Sequence, residues 1–263
     1  MSAAPTLAYT VHAGEGPYLA LLHGFLSSSA QWMHNIDALA GVCRPVTIDL
    51  WGHGQSPAPS DQAYYHPGAY IEALEDIRRR LGAQQWFVCG YSISAGITIR
   101  YAHTHPERIP AHLFTNSASG LAHAEQVAKW REDAESGAAK IEAGGLAAIE
   151  RITVHPRFAR RLPADIHEAL LKDAKRLSPL GIANTLRQTT VHASVRDIAA
   201  INPRPAQLCH GNKEKRFADA KDWVAQNMAQ LSIIDLEAGH AVNMEDSAGF
   251  NLAASQFIAR HSG

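Results

Sequence analysis

The sequence has few cysteines, no long apolar segment and no excess of one charge, and each absence excludes a class of protein. The three cysteines among 263 residues are an odd number and lie in apolar runs, which predicts free thiols in a reducing compartment rather than a disulfide framework. No apolar stretch approaches the roughly 20 residues that a membrane helix requires. The net charge of −1, without a basic block, excludes an extended nucleic-acid surface.

Metal-ligand spacings such as HExxH or CxxC are also absent, although the chain contains 15 histidines. The first residues, MSAAPTLAYTVHAGEG, contain neither a charged nor a long apolar region, so we expect no signal peptide. Apolar residues make up 46% of the chain, which is enough to bury a large core. We therefore expect a cytoplasmic globular protein that binds a small molecule but no nucleic acid, membrane, metal or cofactor. The sequence does not indicate its oligomeric state.

Short apolar runs alternate with amphipathic segments, which is typical of a mostly parallel sheet covered by helices. The runs predict an exposed strand at 7–14, buried strands at 17–24 and 43–50, and further strands at 86–90, 109–117, 205–211 and 231–240. The amphipathic segments predict helices at about 30–40 and at 66–82, 93–104 and 249–261.

The pattern changes between residues 121 and 200, where charged helical segments carry little strand signal. Examples are AEQVAKWREDAESGAAKIEAGG and ADIHEALLKDAKRL. Because the strands resume afterwards, we predict one α/β core in two parts, 1–120 and 201–263, with a helical cap inserted at 121–200.

The stretch WFVCGYSISAGI predicts a strand and a helix joined by a tight turn that contains Ser92. It is similar to the nucleophile elbow Gly-x-Ser-x-Gly, with Ser94 in place of the second glycine. A serine in such a turn has an exposed hydroxyl next to the positive end of a helix, which suits a nucleophile. The alternative is an ordinary turn that contains a serine. Ser94 fits the nucleophile role less well because it lies further into the helix.

Three more features follow other predicted strands, and the carboxyl ends of parallel strands meet at one edge of a sheet. The glycine in LLHGF lets the chain turn so that the N–H groups of Phe25 and Ile93 can stabilise an oxyanion. His240 is the candidate general base, and Glu214 is the candidate acid that orients it, with Asp219 a more distant alternative. The structural alternatives are a loop glycine needed only for turning, a structural histidine and a solvated surface carboxylate.

The pieces HGF, DLWGHGQS, GYS and AGH, with the order Ser92, Glu214, His240, resemble the α/β-hydrolase fold superfamily along nearly the whole chain. In DLWGHGQS, Asp49 or His53 is expected to brace the glycine-containing loop. Within the superfamily, LLHGFLSSSAQW, GLAHAEQVAKWRED, HPRFARRLP, GIANTLRQT, QLCHGNKEKRF and EAGHAVNMED are similar to MenH-like members. Those are menaquinone-pathway synthases (2-succinyl-6-hydroxy-2,4-cyclohexadiene-1-carboxylate synthases), which eliminate pyruvate from a cyclohexene dicarboxylate.

The resemblance also implies substrate-binding arginines, because these synthases hold carboxylates with guanidinium groups. Arg131 and Arg176 match two such positions. The third position follows the elbow and is Gly96 here, while Arg100 lies one helical turn further on. Tyr91 flanks the candidate nucleophile and completes the set of candidate substrate-binding residues. The acid also departs from the subfamily, being Glu instead of the usual Asp.

These features predict a serine hydrolase that cleaves a small ester, thioester, lactone or activated C–C substrate through a Ser–His–Glu triad. Several arginines of the predicted cap either indicate an anionic substrate or are solvated residues on helix surfaces. They are Arg131, Arg157, Arg160, Arg161 and Arg176. Aromatic residues that are candidate pocket walls or core residues are Phe25, Tyr91, Trp32, Trp130 and Phe158, of which the first two are the preferred wall residues. One alternative is a MenH-like lyase in which Ser92 and His240 abstract a proton. The other is a non-catalytic binding protein, which is least expected because no triad residue is lost.

Overall fold

The computed structural model describes residues 4–262 and contains a seven-stranded sheet. The strands are β1 (Tyr9–Val11), β2 (Tyr18–Leu22), β3 (Arg44–Ile48), β4 (Phe87–Gly90), β5 (His112–Thr115), β6 (Ala206–Gly211) and β7 (Leu231–Leu236). Their order in the sheet is β1-β3-β2-β4-β5-β6-β7. All neighbouring pairs are parallel except β1 with β3. The predicted α/β class with a mostly parallel sheet is confirmed.

The α-helices within residues 4–262 are α1 (Ile36–Leu39), α2 (Pro67–Arg80), α3 (Ile93–Thr104), α4 (Ala124–Ile149), α5 (Ala164–Ala174), α6 (Pro179–Asn184), α7 (Arg196–Ala199), α8 (Ala218–Asn227), α9 (Val242–Glu245) and α10 (Ser247–His261).

The helix predicted at 30–40 is wrong in its extent, since a 3-10 turn at Ser29–Trp32 precedes the single turn α1. Asn35 separates the two turns and donates to the Asn243 carbonyl at 3.1 Å. A tertiary contact therefore divides this segment.

Alternating side chains of the central strands fill two hydrophobic layers, one on each face of the sheet. Leu19, Leu21 and Cys89 belong to the layer that α10 covers. Ala20 and Leu22 belong to the opposite layer, which also buries side chains of α2 and α3. Both faces are covered, which explains why these strands are continuous apolar runs in the sequence. Cys43, Cys89 and Cys209 are free thiols buried in this core.

The carboxyl ends of the parallel strands lie at one edge of the sheet. Leu22 at the end of β2 pairs with Gly90 at the end of β4, and Gly211 at the end of β6 pairs with Leu236 at the end of β7. The loops after these four strands therefore start at the same edge. They contain Phe25, Ser92, Glu214 and His240, whereas the alternative acid Asp219 lies on α8.

Between β5 and β6 the chain forms helices and turns, from α4 to α7, and no strand. The α4 helix has a break at Gly145, whose φ of 58° is left-handed. Arg187 forms bidentate ion pairs with Glu135 and Glu142 of α4, with nitrogen–oxygen distances of 2.6–3.0 Å. These ion pairs connect the π-helical turn at Thr185–Thr189 to α4. Within residues 4–262, no helix combines the length and apolarity needed to cross a bilayer.

Candidate active site

Ser92 sits in a sharp turn between β4 and α3, with φ 55° and ψ −120°. A non-glycine residue rarely adopts this backbone conformation, which is strained by about 1–2 kcal/mol. Small residues around the serine make the turn possible. A Cβ at Gly90 would overlap the backbone oxygen of Ser94, so α3 can start this close to β4 only because Gly90 has no side chain.

Ser92, His240 and Glu214 form one chain of hydrogen bonds. The Ser92 Oγ lies 2.9 Å from His240 Nε2. His240 Nδ1 lies 3.0 Å from each carboxylate oxygen of Glu214. The loops after β4, β7 and β6 thus bring together three side chains that are up to 148 positions apart in the sequence. A neutral His240 with its proton on Nδ1 can accept the Ser92 proton at Nε2.

Glu214 remains a carboxylate in this arrangement. Burial alone raises its pKa, but the hydrogen bond and charge of His240, together with a hydrogen bond from Asn116, outweigh burial and lower it. The Asn116 amide donates to Glu214 at 2.8 Å and to the Gly211 carbonyl at 3.1 Å, and it accepts from the Gly211 N–H at 3.1 Å. Asn116 therefore fixes both the acid and the end of the strand that carries it.

The loop after β2 brings the backbone of Phe25 close to Ser92. A Cβ at Gly24 would lie 3.3 Å from the Ser92 Cβ and 2.6 Å from the Tyr91 ring, so only glycine fits at position 24. The Phe25 and Ile93 N–H groups donate to no protein acceptor within residues 4–262. Two unpaired N–H groups on either side of a serine are the donors that an oxyanion would need.

Two buried, neutral histidines, His23 and His53, form hydrogen bonds that fix the loop after β2. The Leu50 N–H donates to His23 Nε2 at 3.0 Å, which leaves the proton on Nδ1 to donate to the Gly24 carbonyl at 2.7 Å. The Leu26 N–H donates to His53 Nε2 at 3.2 Å. Burial lowers the pKa of His53 to about 3, and burial also lowers the pKa of His23.

Because the C=O and N–H of a trans peptide point in opposite directions, the bond from His23 to the Gly24 carbonyl fixes the direction of the Phe25 N–H. Ser94 holds the preceding peptide. Its fully buried hydroxyl donates to the His23 carbonyl at 2.5 Å, while the Gly24 N–H donates to the Gln31 side chain at 3.2 Å. The serine in place of the elbow glycine therefore connects α3 to the loop after β2.

A cavity of about 800 Å³ opens at Ser92 and His240. Its wall on the core side includes Phe25 and Tyr91. The wall contributed by the segment between β5 and β6 is mainly apolar and includes Trp130, Val154, Phe158, Leu162, Leu170 and Leu186. A cavity of this size and polarity can bury a small organic substrate. Among residues 4–262, no group of three or more His, Cys, Asp or Glu side chains could hold a metal ion.

Residues 17–229 match the protein family described as alpha/beta hydrolase fold. The chain belongs to this family. It is 27% identical to a protein of Bacillus subtilis named as a 2-succinyl-6-hydroxy-2,4-cyclohexadiene-1-carboxylate synthase, over 94% of this chain and 93% of that protein. Similar solved structures include MenH from S. aureus (TM-score 0.85, 19% identity, 97% of this chain and 99% of that one). An epoxide hydrolase from Bacillus megaterium is also similar (TM-score 0.79, 21% identity, 96% of each chain).

Of the aromatic residues considered for the pocket of this α/β-hydrolase, four line the cavity and one does not. Phe25, Tyr91, Trp130 and Phe158 are wall residues. Trp32 is fully buried and packs against the Phe250 ring in the core, with ring centroids 5.8 Å apart. Tyr91 also contacts His240, since the two rings meet edge-on with their centroids 5.4 Å apart. Burial raises the pKa of Tyr91, so its hydroxyl stays neutral.

The three arginines proposed for substrate binding are not among the residues that line this cavity. Arg100 is partly buried and donates to the carbonyls of His192 and Ser194 at 3.3 and 3.1 Å. Arg131 lines a separate, smaller pocket of about 280 Å³. Arg176 pairs with Asp173 at 2.8 Å. Because these residues lie on α3, on α4 and after α5, their guanidinium groups contact other parts of the protein and not the main cavity.

Gly96, the position at which the resemblance to the synthases implied a third arginine, has no room for a side chain. A Cβ at Gly96 would overlap the Ala193 carbonyl oxygen and lie 3.4 Å from the Gly120 Cα. Three backbone segments, from α3, from the loop after β5 and from the end of the cap, meet at this point. An arginine at position 96 would therefore require one of these backbone segments to move.

The sequence analysis did not single out Asn116 or Arg216, and it left open whether Arg160 and Arg161 bind an anionic substrate or are solvated. These three arginines line the cavity. The position of Arg216 in the sequence could have indicated that it lines the cavity, since it lies two residues after the candidate acid. The candidate acid follows a strand at the edge of the sheet where the carboxyl ends of the strands meet. Asn116 carries a similar signal, because it directly follows β5.

Proposed function

We propose that this protein is a serine hydrolase that forms an acyl-enzyme on Ser92 and cleaves a small ester, thioester, lactone or activated C–C substrate. The observation that carries the proposal is the continuous hydrogen-bond chain from Ser92 Oγ through His240 to Glu214 at the base of an 800 Å³ cavity. Family membership and the similarity to an epoxide hydrolase structure support a hydrolase-type enzyme.

In the ester reaction, His240 Nε2 takes the Ser92 proton as the Oγ attacks the substrate carbonyl carbon. The N–H groups of Phe25 and Ile93 stabilise the oxyanion, and Glu214 stabilises the imidazolium that forms. His240 then donates its proton to the leaving oxygen, and the acyl-enzyme remains. Water attacks this intermediate with His240 again as general base, and the acid product leaves.

The test is covalent labelling of the whole chain by a fluorophosphonate, followed by intact mass measurement and peptide mapping. We expect one adduct on Ser92 that is lost in Ser92→Ala and strongly slowed in His240→Ala, because the uncatalysed hydroxyl is a weak nucleophile. Ser119→Ala is the matched control, since Ser119 lines the same cavity without a hydrogen bond to His240. A folded protein that acquires no label at Ser92 would contradict the proposal.

The second candidate is a lyase in which Ser92 and His240 abstract a proton and no acyl-enzyme forms. The observation that favours it is the 27% identity to the Bacillus subtilis synthase over nearly the whole of both chains. The closed position at Gly96 and the placement of Arg131 and Arg176 outside the cavity argue against the carboxylate contacts expected for that chemistry. Turnover of the synthase substrate by the wild type, with no covalent intermediate in quenched-flow mass spectra, would favour the lyase.

A further inference from the structure

Arg160, Arg161 and Arg216 are exposed cationic residues that line the cavity from both sides. Arg160 and Arg161 precede α5 in the cap, whereas Arg216 lies in the 3-10 turn after β6 in the core. Their guanidinium groups have no hydrogen-bond acceptor or ion-pair partner within residues 4–262. The arginines just outside the cavity differ, since Arg157 pairs with Glu150 and Arg176 with Asp173.

The charge of these arginines is not balanced nearby. Glu245 is the one carboxylate among the residues lining the cavity, and it already accepts the Gly239 N–H at 2.7 Å. The rest of the cap-side wall is mainly apolar, including Trp130 and Leu186, with Thr153, His155 and Thr190 as its polar residues. A ligand that satisfies both parts of this cavity has an apolar body and an anionic group at one end.

We propose that Arg160, Arg161 and Arg216 form an anion subsite of this cavity, which binds a carboxylate or phosphate group of the substrate other than the scissile group. This inference rests on the proposed function for the location of the scissile bond. The substrate class is then an amphiphilic anion whose apolar part contacts the apolar wall of the same cavity. Guanidinium groups suit both anions, because their planar donors match two oxygens at once.

The subsite lies apart from the positions at which the synthase resemblance would have placed carboxylate contacts. Arg131 faces another pocket, and position 96 has no room for a side chain. Because the cap contributes two of the arginines and the core contributes the third, a bound anion would bridge the two parts of the chain at the acid side of the triad.

The experiment measures equilibrium binding by calorimetry to the full-length Ser92→Ala protein, which removes turnover from the readout. The probes are hexyl phosphate, hexanoate and 1-hexanol, which share an apolar chain and differ in the anionic group. We expect both anions to bind at least tenfold more tightly than the alcohol at low salt. Raising NaCl to 0.5 M should reduce this ratio severalfold, because salt screens exposed charges.

The matched variants are Arg160→Gln/Arg161→Gln/Arg216→Gln and the control Arg151→Gln, which removes an exposed charge from the same cap outside the cavity. The triple variant should lose most of the anion-to-alcohol ratio, by about tenfold, and the control should retain it. Equal binding of the three probes, or an anion preference that survives in the triple variant, overturns the subsite. A stronger response to phosphate than to carboxylate identifies the anion.

Failure of the subsite and failure of the hydrolase proposal are distinguishable in this design. Binding to the Ser92→Ala protein does not depend on an activated serine, whereas fluorophosphonate labelling of the wild type does not depend on the arginines. Thermal unfolding of each variant shows whether a lost preference reflects a lost fold.

Discussion

Replacing Ser94 with alanine tests whether the departure from the Gly-x-Ser-x-Gly pattern holds the oxyanion-binding loop in place. The Ser94 hydroxyl is fully buried, and it is the one donor to the His23 carbonyl found within residues 4–262. The variant keeps the Cβ and removes only the oxygen. It therefore leaves a buried carbonyl unpaired, one peptide away from the Phe25 N–H.

The expected stability cost is about 1–3 kcal/mol, the range for a buried polar group that loses its partner. The catalytic cost is bounded by the complete loss of one oxyanion donor, which lowers kcat by about 10²–10³-fold. The bond from His23 to the Gly24 carbonyl remains in the variant, so the Phe25 N–H is displaced and not lost. We expect kcat to fall about tenfold, while KM changes by less than about twofold because ground-state contacts are unaltered.

The assay is steady-state hydrolysis of a short p-nitrophenyl ester, with urea unfolding measured in parallel. Thr98→Ala is the matched control, because Thr98 also lies on α3, is fully buried and donates to a backbone carbonyl, that of Ala95 at 3.2 Å. Thr98→Ala should lose stability but retain kcat. If the kcat of Ser94→Ala equals that of Thr98→Ala, Ser94 supports only the fold and the reasoning is refuted.

Three further predictions concern other residues. Glu214→Gln should lower kcat about 10⁴-fold, because the amide favours the wrong His240 tautomer; p-nitrophenyl ester hydrolysis checks this. Hydrogen bonds from Arg78 lower the pKa of Glu75 to about 2, so its contribution to stability is full above pH 4–5 and lost as the pH falls towards 2. Glu75→Gln should therefore lower the free energy of unfolding by on the order of 2 kcal/mol at pH 7 and by less at pH 3, as urea titrations at both pH values would show. Gly96→Ala should destabilise the protein by about 1–3 kcal/mol, because the added methyl overlaps backbone; thermal and urea unfolding measure the change.

Each of these predictions has an outcome that contradicts it. A Glu214→Gln enzyme within tenfold of wild type would mean that His240 is oriented by another group. If Glu75→Gln lowers the free energy of unfolding equally at pH 3 and pH 7, the charge of Glu75 does not account for its contribution to stability. A Gly96→Ala protein as stable as wild type would mean that α3 and the Ala193 segment can move apart.

The candidate triad could be read from the sequence because its signals are local. An apolar run that ends in Gly-Tyr-Ser and continues with small residues specifies a strand, a tight turn and a closely packed helix. His240 and Glu214 likewise follow directly after strand signals. Parallel strands with right-handed connections bring their carboxyl ends together, so the positions of these residues in the chain were enough to predict that they meet.

The lining of the cavity could not be read in the same way. The helices between β5 and β6 carry many charged residues, and their periodicity does not show which face turns towards the sheet. Trp130 and Arg131 are adjacent on α4, yet the first lines the main cavity and the second lines the smaller pocket. That division depends on how α4 is held against the turn that carries Arg187, a contact across about 50 positions of sequence.

The sequence by itself determined the α/β class, the order of the strands and helices along the core, and which residues stand at the active edge of the sheet. These follow from hydrophobic periodicity and from the geometry shared by all parallel sheets. The tertiary structure alone decided that Ser94 bonds the His23 carbonyl and that Gly96 lies against Ala193. It also decided that Arg160, Arg161 and Arg216 line the cavity, whereas the expected arginines do not. Each of these depends on the packing of segments distant in sequence, and pairwise packing at that distance leaves no local pattern in the chain.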